Sequence, residues 1–144
     1  MRNFKTIVMN ILKITVEEFM SELDASYFFG GSREFGYSTT SSDLDVFIYS
    51  PYEEHGFSKI SQILYEADAK KIENTDYPGD VWCWHDVIHF VLVPDAILFQ
   101  KLKADHKIVK RLVDNYPVLK EMCARMRHKG IKGSVVYRIL SEMS

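Results

Sequence analysis

Two short stretches near the front of the chain carry residue types suited to phosphate chemistry: Gly30-Gly31-Ser32 and, after a ten-residue spacer, Asp43-Leu44-Asp45. Glycines without a Cβ let backbone N–H groups come close to an anion, and Ser32 adds a hydroxyl and an amide at the start of a helical turn. Two carboxylates two residues apart on a strand project side by side and offer hard oxygen ligands to Mg²⁺ or Mn²⁺. Arg33, next in the chain, brings a guanidinium within reach of a phosphate. Donors for a polyphosphate and a carboxylate clamp for a divalent ion are what phosphoryl and nucleotidyl transfer require. Either stretch alone is an ordinary turn or strand edge; the weight lies in their combination behind an apolar strand.

The elements that must position these residues follow from hydrophobic spacing. Residues 25–29 read as a short buried strand that stops at the glycines. Residues 43–49 read as a second strand, with Asp43, Asp45, Phe47 and Tyr49 on one side and Leu44, Val46 and Ile48 on the other. Between them, residues 30–42 are rich in Gly, Ser and Thr and predict a loop or short helix. Ahead of the first strand, residues 4–22 predict helix, with a break near Thr15, where Thr15-Val16-Glu17-Glu18 fits a capping box. Further on, the pattern predicts a helix over 58–68, a strand over 70–74 and a turn over 75–80. Residues 81–93 form the longest β-like run, ending at Pro94, with Trp82 and Trp84 expected to cover one face of the sheet rather than stack on a base. Helices are expected over about 96–103, 106–115, 117–128 and 134–142. The predicted fold is α+β in a single domain: a small mixed β-sheet core over about 1–95 with helices on one side, and a helical tail over about 96–144.

Composition narrows the function classes. With 144 residues, 47% of them hydrophobic, the chain can bury a core without a metal or disulfide staple. Cys83 and Cys123 lack partners at Cys-x-x-Cys spacing, which argues against structural zinc. In the absence of a signal-peptide pattern they predict reduced thiols and a cytoplasmic protein. His85 and His89, four apart, would stand about 13 Å apart on a strand, so a zinc pair is not expected. No apolar run approaches the roughly 20 residues that span a bilayer, and no membrane partner is expected. The net charge of −2 hides an asymmetry: residues 1–100 hold 7 Lys/Arg against 16 Asp/Glu, whereas residues 101–144 hold 11 against 4. An acidic front suits a metal, and a basic tail suits phosphate or nucleic acid, although solvated helix faces produce the same tally.

Gly31-Ser32-Arg33-Glu34-Phe35-Gly36, followed by Ser42-Asp43-Leu44-Asp45-Val46, resembles the Gly-Ser, spacer, Asp-hydrophobic-Asp signature of the DNA polymerase beta-type nucleotidyltransferase superfamily, nearest its minimal and bacteriophage members. The signature covers about 20 residues, and the order of elements extends it loosely to about residue 100. The resemblance implies transfer of a nucleoside monophosphate from a nucleoside triphosphate to an acceptor, with Mg²⁺ assisting and pyrophosphate leaving. It implies that Gly30, Gly31, Ser32, Arg33 and Ser42 bind nucleotide, with Gly31 and Ser32 at the β and γ phosphates, and that Asp43 and Asp45 are metal ligands and catalytic. The family's third carboxylate lies on a neighbouring strand, where this chain has His89 within Val87-Ile88-His89-Phe90-Val91-Leu92-Val93. Histidine can ligate a metal or act as a base, but it brings no negative charge for a second Mg²⁺. Asp86, three residues earlier, would sit about 10 Å away on the opposite face of a regular strand. Two functions therefore stay open: a Mg²⁺-dependent nucleotidyltransferase with an unidentified RNA, protein or small-molecule acceptor, or an inactive module of the same fold that binds RNA or a protein partner.

Overall fold

The computed structural model describes residues 4–38, 43–53, 58–73 and 75–143. Five strands form one sheet in the order β1-β2-β5-β4-β3: β1 (Tyr27–Gly30), β2 (Leu44–Tyr49), β3 (Lys70–Ile72), β4 (Asp80–Trp84) and β5 (Ile88–Val93). β2 and β5 run parallel at the centre, and every other pair is antiparallel. The two-residue period of a strand sorts the side chains of β2 and β5 cleanly. Leu44, Val46, Ile48, Ile88, Phe90 and Leu92 enter one core, while Phe47, Val91 and Val93 enter another on the opposite face.

The first face is covered by α1 (Phe4–Leu23) and α3 (Lys59–Glu66). In α1 the residues Leu12, Val16, Phe19, Met20 and Leu23 form one unbroken stripe against the sheet, with Met20 fully buried. That continuity overrides the expected break at Thr15: a helix restarted there would lose the shared stripe, so the capping-box residues lie mid-helix. α3 begins at an N-cap, where Ser58 Oγ accepts the Ser61 N–H at 3.0 Å. Trp82 and Trp84 pack into this first core, on the sheet face as expected.

The second face is covered by α4 (Ala96–Asn115), which opens at Asp95, whose carboxylate accepts the Leu98 N–H at 2.7 Å. The two helices expected over 96–103 and 106–115 are a single one. Phe99, Leu102, His106, Val109 and Val113 keep one inward stripe through residues 104 and 105, and no Gly or Pro interrupts them. α5 (Pro117–His128), with Pro117 at its first turn, and α6 (Gly133–Met143) complete the tail. Cys123, Val136 and Leu140 build a third core around Val109 and Val113 of α4. The run over 81–93 also needs correcting, since it is a hairpin and not one strand. It folds back at His85 and Asp86, both at positive φ (50° and 56°), and the Val87 N–H donates to the Trp84 carbonyl at 3.1 Å.

The architecture is thus α+β, a five-stranded mixed sheet with a C-terminal helical tail. Among the described residues, no helix is long and apolar enough to cross a membrane. Both cysteines are buried and free.

Candidate functional site

β1 ends at Gly30, and the chain turns at once into α2 (Gly31–Phe35). Gly31 has φ +80°, in the left-handed region that favours glycine, and its missing Cβ makes room for the Asp45 carboxylate. Ser32 is buried at the start of α2, and Gly36 closes the turn at φ +85° with its N–H on the Ser32 carbonyl at 3.0 Å. The short helix is held from both sides. Lys13 of α1 donates to the Glu34 carboxylate at 2.9 Å, and Lys110 of α4 donates to the Glu34 carbonyl at 2.8 Å.

Opposite this turn, Asp43 precedes β2 and Asp45 lies within it, directly across from His89 on β5 in the parallel register. The three side chains meet. His89 Nε2 is 3.5 Å from Asp43 Oδ2, and His89 Nδ1 is 3.4 Å from Asp45 Oδ1. The imidazole is held more basic than usual, first by its hydrogen bond to Asp45, against the opposing effect of burial, and then by the Asp45, Asp43 and Asp86 charges. Asp86 itself sits in the hairpin turn beside the Cys83 sulfur, 3.9 Å away. Its charge is felt by His89, but it is not among the described lining of the cleft beside the carboxylate pair.

A cleft of about 620 Å³ opens over these residues. Its sheet wall carries Asp43, Asp45 and His89, with Asp76 and Tyr77 from the loop before β4, and its near end carries Gly31 and Ser32. The far wall belongs to the tail: Arg127 of α5, Lys132, and Ser134 and Tyr137 of α6. Acidic and basic groups therefore line a single opening. Tyr77 donates its hydroxyl to Asp45 Oδ1 at 3.1 Å, and its phenol is held far less acidic than usual, chiefly by burial and then by Asp45. His106 lies at the cleft floor among Phe28, Phe35, Phe47 and Tyr137, with Nδ1 2.7 Å from the Leu102 carbonyl. Burial makes it less basic than usual.

Of the residues the sequence singled out, Gly31, Ser32, Asp43, Asp45 and His89 are brought together at this cleft. Gly30 and Arg33 are not among its described lining. Gly30 packs against Phe47 and His106, and Arg33 lies close enough to feel the Asp43 charge. Ser42 lies outside the described residues. Arg125 forms an exposed ion pair with Glu121 at 2.6 Å, a solvated helix face, whereas Arg127 and Lys132 turn toward the cleft. Sequence reasoning missed Asp76 and Tyr77, which read only as turn residues, and it missed Tyr137 and His106. No spacing pattern ties any of them to the aspartates.

Among the described residues, no group of three or more His, Cys, Asp or Glu side chains is arranged as a metal cage. A pair of carboxylates beside an open cleft suits a cation that takes its other oxygens from phosphates and water, the usual habit of Mg²⁺. The side chain that meets both carboxylates is His89, which adds no negative charge for a second such ion. No protein-family model matches the chain, and no curated protein does either.

Proposed function

We propose that this protein is a Mg²⁺-dependent nucleotidyltransferase of the DNA polymerase beta type, moving a nucleoside monophosphate from a nucleoside triphosphate to an acceptor hydroxyl. The observation that carries this reading is the composition of one cleft: a glycine-serine turn, a carboxylate pair within 3.5 Å of a shared histidine, and Arg127 and Lys132 on the facing wall. A triphosphate needs cations and amide donors along its length, and its metal needs carboxylates at the reacting phosphorus. In the proposed reaction the acceptor oxygen bonds to the α-phosphorus, the bond from that phosphorus to the α,β-bridging oxygen breaks, and pyrophosphate leaves. Gly31 and Ser32 hold the β and γ phosphates, while Arg127 and Lys132 offset the charge that develops on the departing group. Asp43 and Asp45 would hold Mg²⁺, which would supply charge neutralisation to the phosphates. His89 takes up the proton released by the acceptor.

One observation favours a second reading. The His89 ring lies between the two carboxylates and occupies the space of a further carboxylate, as expected of a fold that keeps its pocket while losing turnover and binds RNA or a protein through its basic tail. Incubation with Mg²⁺ or Mn²⁺ and each labelled nucleoside triphosphate separates the two. Pyrophosphate release that disappears in Asp43→Asn with Asp45→Asn supports the enzyme. No release with any nucleotide, alongside tight RNA or protein binding, supports the module.

A further inference from the structure

Three tyrosines line the cleft among the described residues, and their hydroxyls differ in what they touch. The Tyr37 hydroxyl is buried, in a residue 1% exposed, and has no hydrogen-bond partner among the described residues. The Tyr137 hydroxyl lies 3.2 Å from His106 Nδ1, among the rings of the cleft floor. Tyr77 alone places its hydroxyl on a carboxylate of the pair, donating to Asp45 Oδ1 at 3.1 Å. Its ring stands edge-on to His89 with centroids 6.1 Å apart, so the phenol oxygen is aimed at the acidic end of the cleft. The residue sits on the connection between β3 and β4, outside helix and strand, and is only partly buried. A hydroxyl donating to a carboxylate at the reacting centre has the arrangement of a nucleophile paired with its base.

We infer that Tyr77 is itself a nucleotide acceptor, so that the protein modifies its own chain in the cleft. This inference rests on the nucleotidyltransferase reading above. Tyr77 Oη bonds to the α-phosphorus of a bound nucleoside triphosphate, the bond from that phosphorus to the α,β-bridging oxygen breaks, pyrophosphate carries off that electron pair, and the phenol proton passes along the existing hydrogen bond to Asp45 and on to His89, 3.4 Å from the same carboxylate oxygen. The product is a tyrosine O-phosphodiester, an adduct of one nucleoside monophosphate. Modification at this position also fills the mouth of the cleft and withdraws the hydrogen bond from Asp45, so a modified molecule is spent with respect to external acceptors.

The test uses the full chain with Mg²⁺ and each of the four ribonucleoside triphosphates. Intact mass and peptide mapping are read alongside pyrophosphate release and calorimetric binding of the Mg²⁺-nucleotide. The expected result is an adduct of one nucleoside monophosphate mapped to Tyr77. Tyr77→Phe should lack it while still binding the Mg²⁺-nucleotide, weakened by no more than about 150-fold, the upper end of the scale of one hydrogen bond to a charged group. Binding and pyrophosphate release without an adduct on Tyr77, or an adduct mapped elsewhere, overturns the self-modification and leaves the enzyme reading standing. Absence of both binding and release overturns the two together.

Discussion

Replacing Gly31 by Ala separates the backbone role of the turn from its role beside the carboxylate pair. An ideal Cβ at Gly31 overlaps Asp45 Oδ2 and comes within 3.0 Å of Asp45 Cγ, while the backbone stays at φ +80°. Two costs follow. Holding an alanine in the left-handed region costs about 1–2 kcal/mol, and the carboxylate must also retreat by about 1 Å to regain ordinary contact distance. Gly36→Ala supplies the control. Its φ of +85° carries the same backbone cost, but the Cβ there meets only the flexible end of Lys120. Urea denaturation should therefore show both variants destabilised by about 1–2 kcal/mol, with Gly31→Ala the worse. Mg²⁺ tolerates little deviation from ligand distances near about 2.1 Å, and a misplacement of about 1 Å at a reacting centre costs about 100-fold in rate. Calorimetric titration with Mg²⁺ and nucleotide should then show Gly31→Ala losing its metal-dependent binding, with Gly36→Ala close to wild type. Equal Mg²⁺ affinity in the two variants would refute the claim that this glycine exists to admit Asp45.

Two further outcomes are expected. Lys132, exposed on the far wall of the cleft, should act as a screened phosphate contact. Lys132→Ala should weaken nucleoside triphosphate binding about fivefold at low salt, the ~1 kcal/mol scale of an exposed ion pair, with the difference closing in 1 M salt; a loss that ignores salt would contradict it. His106 makes a statement about stability against pH. Burial lowers its folded pKa from 6.5, so the unfolded chain takes up a proton that the folded chain refuses, and stability must fall as pH drops through about 6.5 until the folded value is reached. His106→Gln should lose less stability than wild type between pH 7.5 and 5.5 in urea denaturation, and an identical loss would remove His106 from the account.

The part of the site that was legible in the sequence is the part governed by strand geometry. Asp43 and Asp45 could be placed on one side of a strand because alternation is strict, and the hydrophobic frame around His89 put it on a neighbouring strand. What the sequence did not disclose depends on contacts between distant segments. Tyr77 reaches Asp45 across 32 positions, from a loop whose composition says only that the chain turns. Arg127 and Lys132 are indistinguishable in sequence from the solvated Arg125, and only the packing of α5 and α6 turns them inward. The two helices read as broken, at Thr15 and near residue 104, failed for one reason. Local capping preferences are worth about 1 kcal/mol, whereas interrupting a stripe that buries Met20 or Val109 forfeits more. The hairpin at His85 and Asp86 carries none of the Asn-Gly or Asp-Gly chemistry that marks such a turn, so a single run was the natural inference.

Phe35 and Tyr37, which flank the end of the glycine-serine turn, are buried with Val109, Val113, Cys123, Val136 and Leu140 and not in either core that clads the sheet. The turn therefore packs against the tail as well as against the sheet, whereas Asp45 and His89 ride on the sheet. Arg127 and Tyr137 reach the cleft from helices that meet in this third core, so their placement relative to Asp45 and His89 depends on how α4, α5 and α6 pack. A substitution at Cys123 or Leu140, neither of which lines the cleft, should consequently register as a displacement of the tail residues that do, and natural variation in the tail becomes a means of retuning the cleft without touching a residue that lines it.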